Sequence, residues 1–258
     1  MMHQDQDITA IFGRIEQRIA DKPDLVNTDA IVEIRLTGDS DTVWTIDLTT
    51  NPTSITPQTT GKAQCTITLT TEDFVSIVQG KMHPMQAEHE LDGDPSKLQF
   101  LGDVLADPLS SDAAVTLREI TKDNLGAVLG LEVANDQKNF VAPNSVSIAQ
   151  AHYSDVAWFR AIYAGETPVG FIMLSDDDEK KRYYLWRLMV DRRQQGKGFG
   201  YQAVNQLIDY VRTRPEATEL LVSYVPGQGS PKPFYKKLGF VETGEVHHGE
   251  HEMRLILA

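Results

Sequence analysis

The segment from Val190 to Gly200 holds the residues whose types and spacing best suit chemistry. Glycines stand at alternate positions near its end, and three cations, Arg192, Arg193 and Lys197, accompany them. Glycine has no side chain to cover the backbone, so successive N–H groups can face an anion, and the N-terminus of a following helix adds its positive end. The segment predicts a pyrophosphate site, with a flexible glycine-rich turn as the alternative. Its spacing is neither that of a Walker P-loop nor that of a Rossmann site.

The elements around this segment follow a mixed pattern. Apolar periodicity and turn residues predict helices over 122–133, 145–153, 199–211 and 231–238. They predict strands over 115–120, 158–163, 169–174, 183–190, 220–225, 240–243 and 252–257. We therefore expect an α+β unit, a mixed sheet flanked by helices, in which the glycine-rich segment joins a strand to a helix.

A second segment, Pro233–Phe240, places Tyr235 in a short helix ended by Gly239; its plain interpretation is a packed, half-buried aromatic ring. Together, the segment from Arg193 to Gly198 and this tyrosine helix resemble the two signature stretches of the GNAT superfamily of acetyl-CoA-dependent N-acetyltransferases. Further stretches are similar to the branch of spermine/spermidine-type acetyltransferases. They are residues 137–144, 147–151, 185–191, 223–224, 244–245 and 249–250.

The resemblance implies direct acetyl transfer in a ternary complex with acetyl-CoA. Backbone amides would hold the coenzyme pyrophosphate, and the end of a strand would pair with the pantetheine and stabilise the oxyanion. Gln228 stands where the family often has Asn. The implied coenzyme-binding residues are Met189, Val190, Arg193, Gln195, Gly196, Lys197, Gly198, Phe199, Gly200 and Gln228. Tyr235 would protonate the departing thiolate as general acid.

The sequence indicates less clearly which residues would bind and deprotonate the acceptor amine. The base that deprotonates the amine is left open between Glu250, Asp136 and Glu132, with Glu250 taken as the catalytic candidate. The candidate acceptor-binding residues are Asp136, Gln137, Trp186 and Tyr224. Core packing is the alternative for the two aromatic rings. A polyamine acceptor would need several carboxylates in one cleft, but the acidic run from Asp176 to Glu179 is expected to be a solvated hairpin tip.

Metal and thiol chemistry are not expected. His247 and His248 are adjacent, so in an extended segment they would point to opposite faces and would not converge with His251 on one ion. Cys65 has no evident basic partner nearby in the sequence, which argues against a thiol nucleophile.

The first part of the chain predicts a smaller α+β unit. It has a helix carrying Ile8 to Ile19, strands over 30–37, 42–49 and 65–69, and helices over 71–78 and 95–106. This order, with segments 63–69, 72–74, 80–85 and 93–98, resembles the sterol-carrier-protein (type two) domain, which implies a tunnel for an apolar ligand. A family strand is shortened between Met85 and Gly93. Lipid binding and a purely packing role are both left open.

Composition and charge narrow the class of protein. The 258 residues are 41% hydrophobic and carry a net charge of −13. Residues 1–112 hold 19 Asp and Glu against 7 Lys and Arg, whereas the rest holds 18 against 17. The acidic first part repels phosphate, which argues against nucleic acid as a partner. No apolar stretch is long enough to cross a bilayer, no secretion signal is evident, and a single cysteine fits the cytoplasm.

Pro, Ser and Asp over residues 107–112 predict a linker between a sterol-carrier-like domain at 1–108 and a GNAT domain at 113–258. We expect an acetyl-CoA-dependent N-acetyltransferase that acts on the primary amine of a small molecule, with polyamines as a candidate class. A lipid-binding or coenzyme-A-sensing protein without robust activity is the alternative. The oligomeric state is left open.

Overall fold

A computed structural model describes residues 2–22, 24–25, 28–38, 41–82, 84–106 and 109–257, with the backbone alone at residues 2–7 and 85. Internal contacts divide the chain into two units, Met1–Pro108 and Leu109–Ala258. Of the predicted linker, Asp107 and Pro108 lie outside the described residues. No helix in the described ranges is long and apolar enough to cross a membrane.

The first unit is a five-stranded sheet with helices. Its helices are α1 (Met2–Ala20), α2 (Thr71–Val78), α3 (Leu101–Val104) and two 3-10 turns, Pro84–Gln86 and Pro95–Leu98. Its strands are β1 (Ile31–Thr37), β2 (Thr42–Asp47), β3 (Ser54–Thr56), β4 (Cys65–Thr70) and β5 (His89–Gly93). The order is β3-β2-β1-β4-β5, and β1 and β4 are parallel. Helix α2 begins where the Thr70 hydroxyl accepts from the Asp73 N–H at 3.1 Å.

The helix predicted over 95–106 is not continuous, so that prediction is wrong. It is two short pieces, a 3-10 turn at Pro95–Leu98 followed by α3. Gln99 and Phe100 between them keep right-handed helical backbone angles, so the chain direction continues while the hydrogen-bonding pattern changes. The stretch between Met85 and Gly93 carries the edge strand β5, which pairs with β4 along its whole length.

Aromatic rings fill the interior of the first unit. The Phe12 ring stacks on Trp44 at 4.2 Å between centroids and on Phe74 at 5.3 Å. A cavity of about 30 Å³ lies against Ile34, Leu69 and Phe74. That volume has room for one or two water molecules. The space between sheet and helices is therefore packed at this point, where the family resemblance implied a tunnel.

The second unit is a seven-stranded sheet with helices on both faces. Its strands are β6 (Val115–Arg118), β7 (Ala157–Ala164), β8 (Thr167–Asp177), β9 (Arg182–Val190), β10 (Glu219–Tyr224), β11 (Val241–His247) and β12 (Glu250–Ile256). Its helices are α4 (Leu125–Leu129), α5 (Asn144–His152), α6 (Phe199–Arg212), α7 (Lys232–Lys237) and a 3-10 turn at Asn135–Gln137. The order is β11-β12-β10-β9-β8-β7-β6. The pair β9–β10 is parallel.

Each face of this sheet has its own core. Phe199 and Leu207 of α6 and Tyr235 of α7 pack on one face, while Val128 and Ala151 pack on the other. The predicted α+β class with a mixed sheet and flanking helices is confirmed. Helix α4 is shorter than the predicted 122–133, since it begins at Leu125 and ends at Leu129.

The acidic run Asp176–Glu179, which begins at the end of β8, is not solvated along its whole length. The expectation of a solvated hairpin tip is therefore wrong. Asp176 accepts from Arg214 Nε at 3.0 Å and from the Tyr210 hydroxyl at 2.7 Å, and its side chain is only 9% exposed. Asp178 also pairs with Arg214. These carboxylates hold the end of α6 on the sheet because a chain-distant arginine meets them there.

Candidate active site

Strands β9 and β10 separate soon after they meet. They pair only where Tyr184 and Leu185 lie beside Leu221 and Val222. Directly after this, Trp186 has no partner on β8, because Met173 pairs with Arg187 and Leu174 with Leu185. Such a bulge bends its strand and increases the twist. We call the resulting opening, between residues 186–190 of β9 and 223–224 of β10, the strand gap.

The glycine-rich loop lies at the end of β9. Gly196 and Gly198 have φ of 78° and 84°, which L side chains rarely adopt, and a Cβ at either would meet nothing within 4 Å. The N–H groups from Gln195 to Gly200 find no acceptor among the residues that the structure describes. The first N–H groups of any helix lack partners within it, so the N-terminus of α6 extends the same row of donors. This arrangement fits a pyrophosphate.

The N-terminus of α6 is held close to β9. A Cβ at Gly200 would lie 3.2 Å from Val190 Cγ2 and 3.7 Å from the Phe234 ring. A contact at 3.2 Å would force Val190 to shift, so the absent side chain at Gly200 allows the loop, the strand and α7 to meet.

Two cationic side chains of the loop have hydrogen-bond partners within the protein. Arg193 donates to Asp191 at 2.7 Å through Nε and at 3.0 Å through Nη2, and Asp191 is only 1% exposed. Burial alone would raise the pKa of Asp191, but hydrogen bonds from Arg193 and the Glu132 N–H lower it. Arg193 thus holds the loop in shape. Lys197 donates to Gln194 Oε1 at 2.8 Å, and burial lowers the pKa of its ammonium group.

Three segments meet beside the loop. Gln195 Nε2 donates to Gln137 Oε1 at 2.7 Å and to the Val190 carbonyl at 3.0 Å. A Cβ at Gly229 would lie 3.7 Å from Asp136 Oδ2, so the loop after β10, which also carries the exposed Gln228, reaches the same 3-10 turn. The fold thereby brings together residues that sequence analysis assigned separately to coenzyme and acceptor.

Tyr235 lies in α7 with its ring buried against Phe234 and Phe240, at 5.4 Å and 5.7 Å between centroids. Burial strongly raises the pKa of its phenol, and Tyr184 adds to the rise. The Tyr235 hydroxyl has no hydrogen-bond partner within the described ranges. It is a neutral donor that the protein leaves unused.

Tyr184 connects the groups around the strand gap, and sequence analysis missed it. Burial raises the pKa of its phenol, which is hydrogen-bonded to Ser223 and interacts electrostatically with Glu250, Arg187 and Glu252. The alternation of β9 made Tyr184 look like an ordinary strand residue. The signal that could have found it is its place just before the bulge, which is not visible in a single sequence.

Among the other predicted site residues, two aromatic residues are packed in the protein and three acidic residues are exposed. Trp186 packs in the core on the α4 and α5 face, and buried Tyr224 donates to Glu242 Oε1 at 2.6 Å. Glu250 and Asp136 are exposed, as is Glu132, whose backbone N–H donates to Asp191. The described residues contain no group of three potential metal ligands.

Comparison with known proteins assigns both units. Residues 125–240 match the Acetyltransferase (GNAT) family, and residues 10–106 match the SCP-2 sterol transfer family. Over 151 residues the chain is 28% identical to a spermine/spermidine N(1)-acetyltransferase of Bacillus subtilis strain 168, covering 54% of this chain and 97% of that protein. A probable spermine N(1)-acetyltransferase of Bacillus subtilis subsp. natto is 27% identical with the same coverage.

A solved structure is also similar. It is the spermidine N-acetyltransferase of Vibrio cholerae in complex with CoA and spermine, at 17% identity and TM-score 0.45, covering 55% of this chain and 95% of that one. The two family matches confirm the resemblances seen in the sequence. The chain thus carries an N-terminal SCP-2 domain, matched over residues 10–106, and a GNAT acetyltransferase domain, matched over residues 125–240.

Proposed function

We propose that the second unit transfers an acetyl group from acetyl-CoA to the primary amine of a small molecule by direct transfer in a ternary complex. The observation that carries this is the strand gap together with the adjoining row of unpaired N–H groups from Gln195 to Gly200. Acetyl-CoA supplies the activated thioester. The row of N–H groups binds its pyrophosphate, and Met189 and Val190 offer backbone groups along the gap.

Tyr235 serves the departing sulfur. When the amine nitrogen forms its bond to the carbonyl carbon and releases its second proton to water, the carbon–sulfur bond breaks and leaves a thiolate. A thiol has a pKa near 8.5, well below that of a buried phenol, so complete proton transfer from Tyr235 is uphill. We propose that the unpartnered hydroxyl donates a hydrogen bond to the sulfur in the transition state, and that the thiolate gains its proton as it reaches solvent.

Glu250 takes the proton that the ammonium must lose before attack. It begins β12 close enough to the gap to interact electrostatically with Tyr184 and Arg187. Its exposed carboxylate can pass the proton on to water. Asp136 and Glu132 are the other candidates, and both stand on the side of the glycine-rich loop.

Thiol release from acetyl-CoA tests this function. Polyamines come first as acceptors because the two curated relatives are named for spermine and spermidine, and monoamines complete the panel. We expect acetyl-CoA to bind in calorimetry and at least one amine to release thiol. Absence of both binding and release would overturn the proposal.

A second candidate, binding of an apolar ligand by the first unit, is supported by a groove between α1 and α2. Its volume is about 470 Å³, and apolar Ile8, Ile11 and Val75 line it together with the cationic Arg14 and Lys81 and the anionic Glu72. The interior cavity of about 30 Å³ is too small for this purpose. A fatty acid, with an apolar tail and an anionic head, matches the groove.

Displacement of a fluorescent fatty acid from the full chain checks this second candidate. Val75→Glu places a charge in the groove and should weaken binding at least about tenfold, since burying an unpaired carboxylate is costly. Leu91→Glu is the matched control because Leu91 is 44% exposed on β5 and does not line the groove. No saturable binding to the unmodified chain would remove the candidate.

A further inference from the structure

Arg187 lies on β9 at the strand gap, immediately after the bulge. Its Nη1 donates to the Trp186 carbonyl at 2.8 Å, its Nη2 donates to Gln150 Oε1 at 3.2 Å, and its guanidinium carbon lies 5.6 Å from the Trp186 ring centroid. Its Nε is buried without a hydrogen-bond partner. None of these partners carries a negative charge.

A half-buried guanidinium without a carboxylate is unusual, because desolvating a charge is costly unless an opposite charge meets it. No described carboxylate forms an ion pair with Arg187, and burial lowers the pKa of its guanidinium. Two of the five guanidinium N–H donors are engaged by Trp186 and Gln150, and a carboxylate would match two of the remaining three. The protein supplies the cation, and no carboxylate of the described residues is in contact with it.

Arg160 lies on β7, which is separated from β9 by β8, and it makes similar contacts together with an ion pair. It donates to the carbonyl of the preceding residue, Phe159, at 2.8 Å and lies 4.7 Å from the Trp158 ring centroid. Unlike Arg187, it also has a carboxylate partner, Glu119, at 3.6 Å. The comparison shows that the missing partner is particular to the arginine at the gap.

Glu250 is the charge that complements Arg187 across the gap. It precedes His251, which pairs with Tyr224 at the gap end of β10, and it interacts electrostatically with Arg187 and Tyr184. Its carboxylate has no hydrogen bond or ion pair in the described part of the chain. The nearby Glu252 is engaged, since it pairs with Arg182 at 3.6 Å and accepts from Thr243 at 3.3 Å. One unmatched anion and one unmatched cation therefore stand at the same opening.

We propose that the acceptor is an amine that also carries a carboxylate, with the carboxylate bound by Arg187 and the ammonium group directed toward Glu250. This inference rests on the proposed acetyl transfer and narrows its acceptor class. A polyamine fits the pair less well, because its second ammonium group would meet the uncompensated charge of Arg187. A zwitterion places one charge on each partner.

Matched acceptors test the proposal by thiol release with the full chain. Glycine is compared with ethanolamine, and 4-aminobutyrate with 4-aminobutanol, so that each pair differs only in the carboxylate; spermidine is the third arm. We expect kcat/KM to be at least about tenfold higher for the better carboxylate acceptor than for its alcohol. Arg187→Met should bring that ratio to about one, and Arg187→Lys should restore part of it.

Arg160→Met is the control, because it removes an arginine with similar carbonyl and tryptophan contacts away from the gap. The ratio of kcat/KM values should then stay as in the unmodified chain. Equal kcat/KM within both pairs, or a preference for spermidine over both carboxylates, would overturn the zwitterion proposal while leaving acetyl transfer intact. Equal loss for carboxylate and alcohol in Arg187→Met would do the same. Release with none of the acceptors would overturn the proposed function as well.

Discussion

Burial determines what Tyr235 can do. Its ring packs between Phe234 and Phe240, so the phenol stays neutral, and the hydroxyl finds no acceptor in the described residues. A donor that contributes nothing to the folded state is available for a ligand. The position in the sequence indicated the tyrosine, but its lack of a partner is a property of the folded chain.

Tyr235→Phe should lower kcat about 100-fold, because it removes a hydrogen-bond donor from the transition state. The free energy of unfolding should change by less than about 1 kcal/mol, since the ring is kept and no hydrogen bond is lost. Steady-state thiol release and urea unfolding measure the two quantities.

Tyr183→Phe is the matched control for this substitution. Tyr183 is also buried, but its hydroxyl donates to the Pro215 carbonyl at 2.6 Å. Its loss should cost about 1 kcal/mol of stability and leave kcat unchanged. An undiminished rate in Tyr235→Phe would remove Tyr235 from the proposed chemistry without affecting the family assignment.

The glycine-rich loop depends on backbone conformation more than on side-chain space. Gly198 has a left-handed backbone conformation, at φ 84°, and is the residue immediately before α6. A Cβ there would meet nothing within 4 Å. Alanine at this position must either hold a strained conformation or move the N–H row. The loop's function therefore depends on a geometry that only glycine adopts without strain.

Gly198→Ala should cost about 1 kcal/mol of stability and raise KM for acetyl-CoA about tenfold, because the N–H row no longer converges on the pyrophosphate. Gly165→Ala provides the comparison. Gly165 has φ 58° and equally open surroundings, but it lies in the turn between β7 and β8. It should lose similar stability with unchanged KM; an equal rise in both variants would argue against the loop as the coenzyme site.

The bulge at Trp186 lies where β9 and β10 separate. It ends the pairing of β9 with β10 after Leu185, and it is what opens the sheet. The sequence predicted both strands, yet it contained no sign that they would separate. Register depends on partners far away in the chain, so a one-residue mismatch is not readable from either strand alone.

Each hydrophobic core cluster belongs to one unit: the first unit has one cluster, and the second has one on each face of its sheet. The first unit packs around Phe12 and Phe74, whereas the second packs around residues such as Phe199 and Phe171. Each core is built from residues of its own unit, so each unit contains what it needs to unfold cooperatively.

Calorimetry of the full chain should show two unfolding transitions. Acetyl-CoA at about 100 times its Kd should stabilise one of them by about 2.7 kcal/mol, since a ligand stabilises only the unit that binds it. Phe74→Ala should lower the free energy of unfolding of the other unit by about 3–5 kcal/mol, as expected for a buried Phe. If a single transition moves under both treatments, the units unfold as one.

Apolar spacing, turn residues and glycine conformation act between residues close together in sequence, and they were enough to predict most of the helices and strands and the conformation of the glycine-rich loop. The resemblance of short motifs to known families, and not periodicity, indicated the two kinds of unit and pointed to Tyr235. The break between the 3-10 turn Pro95–Leu98 and α3 was not predicted, because apolar spacing does not distinguish the two hydrogen-bonding patterns.

Tertiary structure alone decided which of the candidate groups are free to act. Arg193 is matched by Asp191 and Tyr224 by Glu242, while Arg187 stays without an anion. Each of these outcomes depends on whether a partner arrives from another element, because the state of a charge or hydroxyl is set by what surrounds it in space. The composition of the chain records how many charges exist, and the fold determines which of them are left for a substrate.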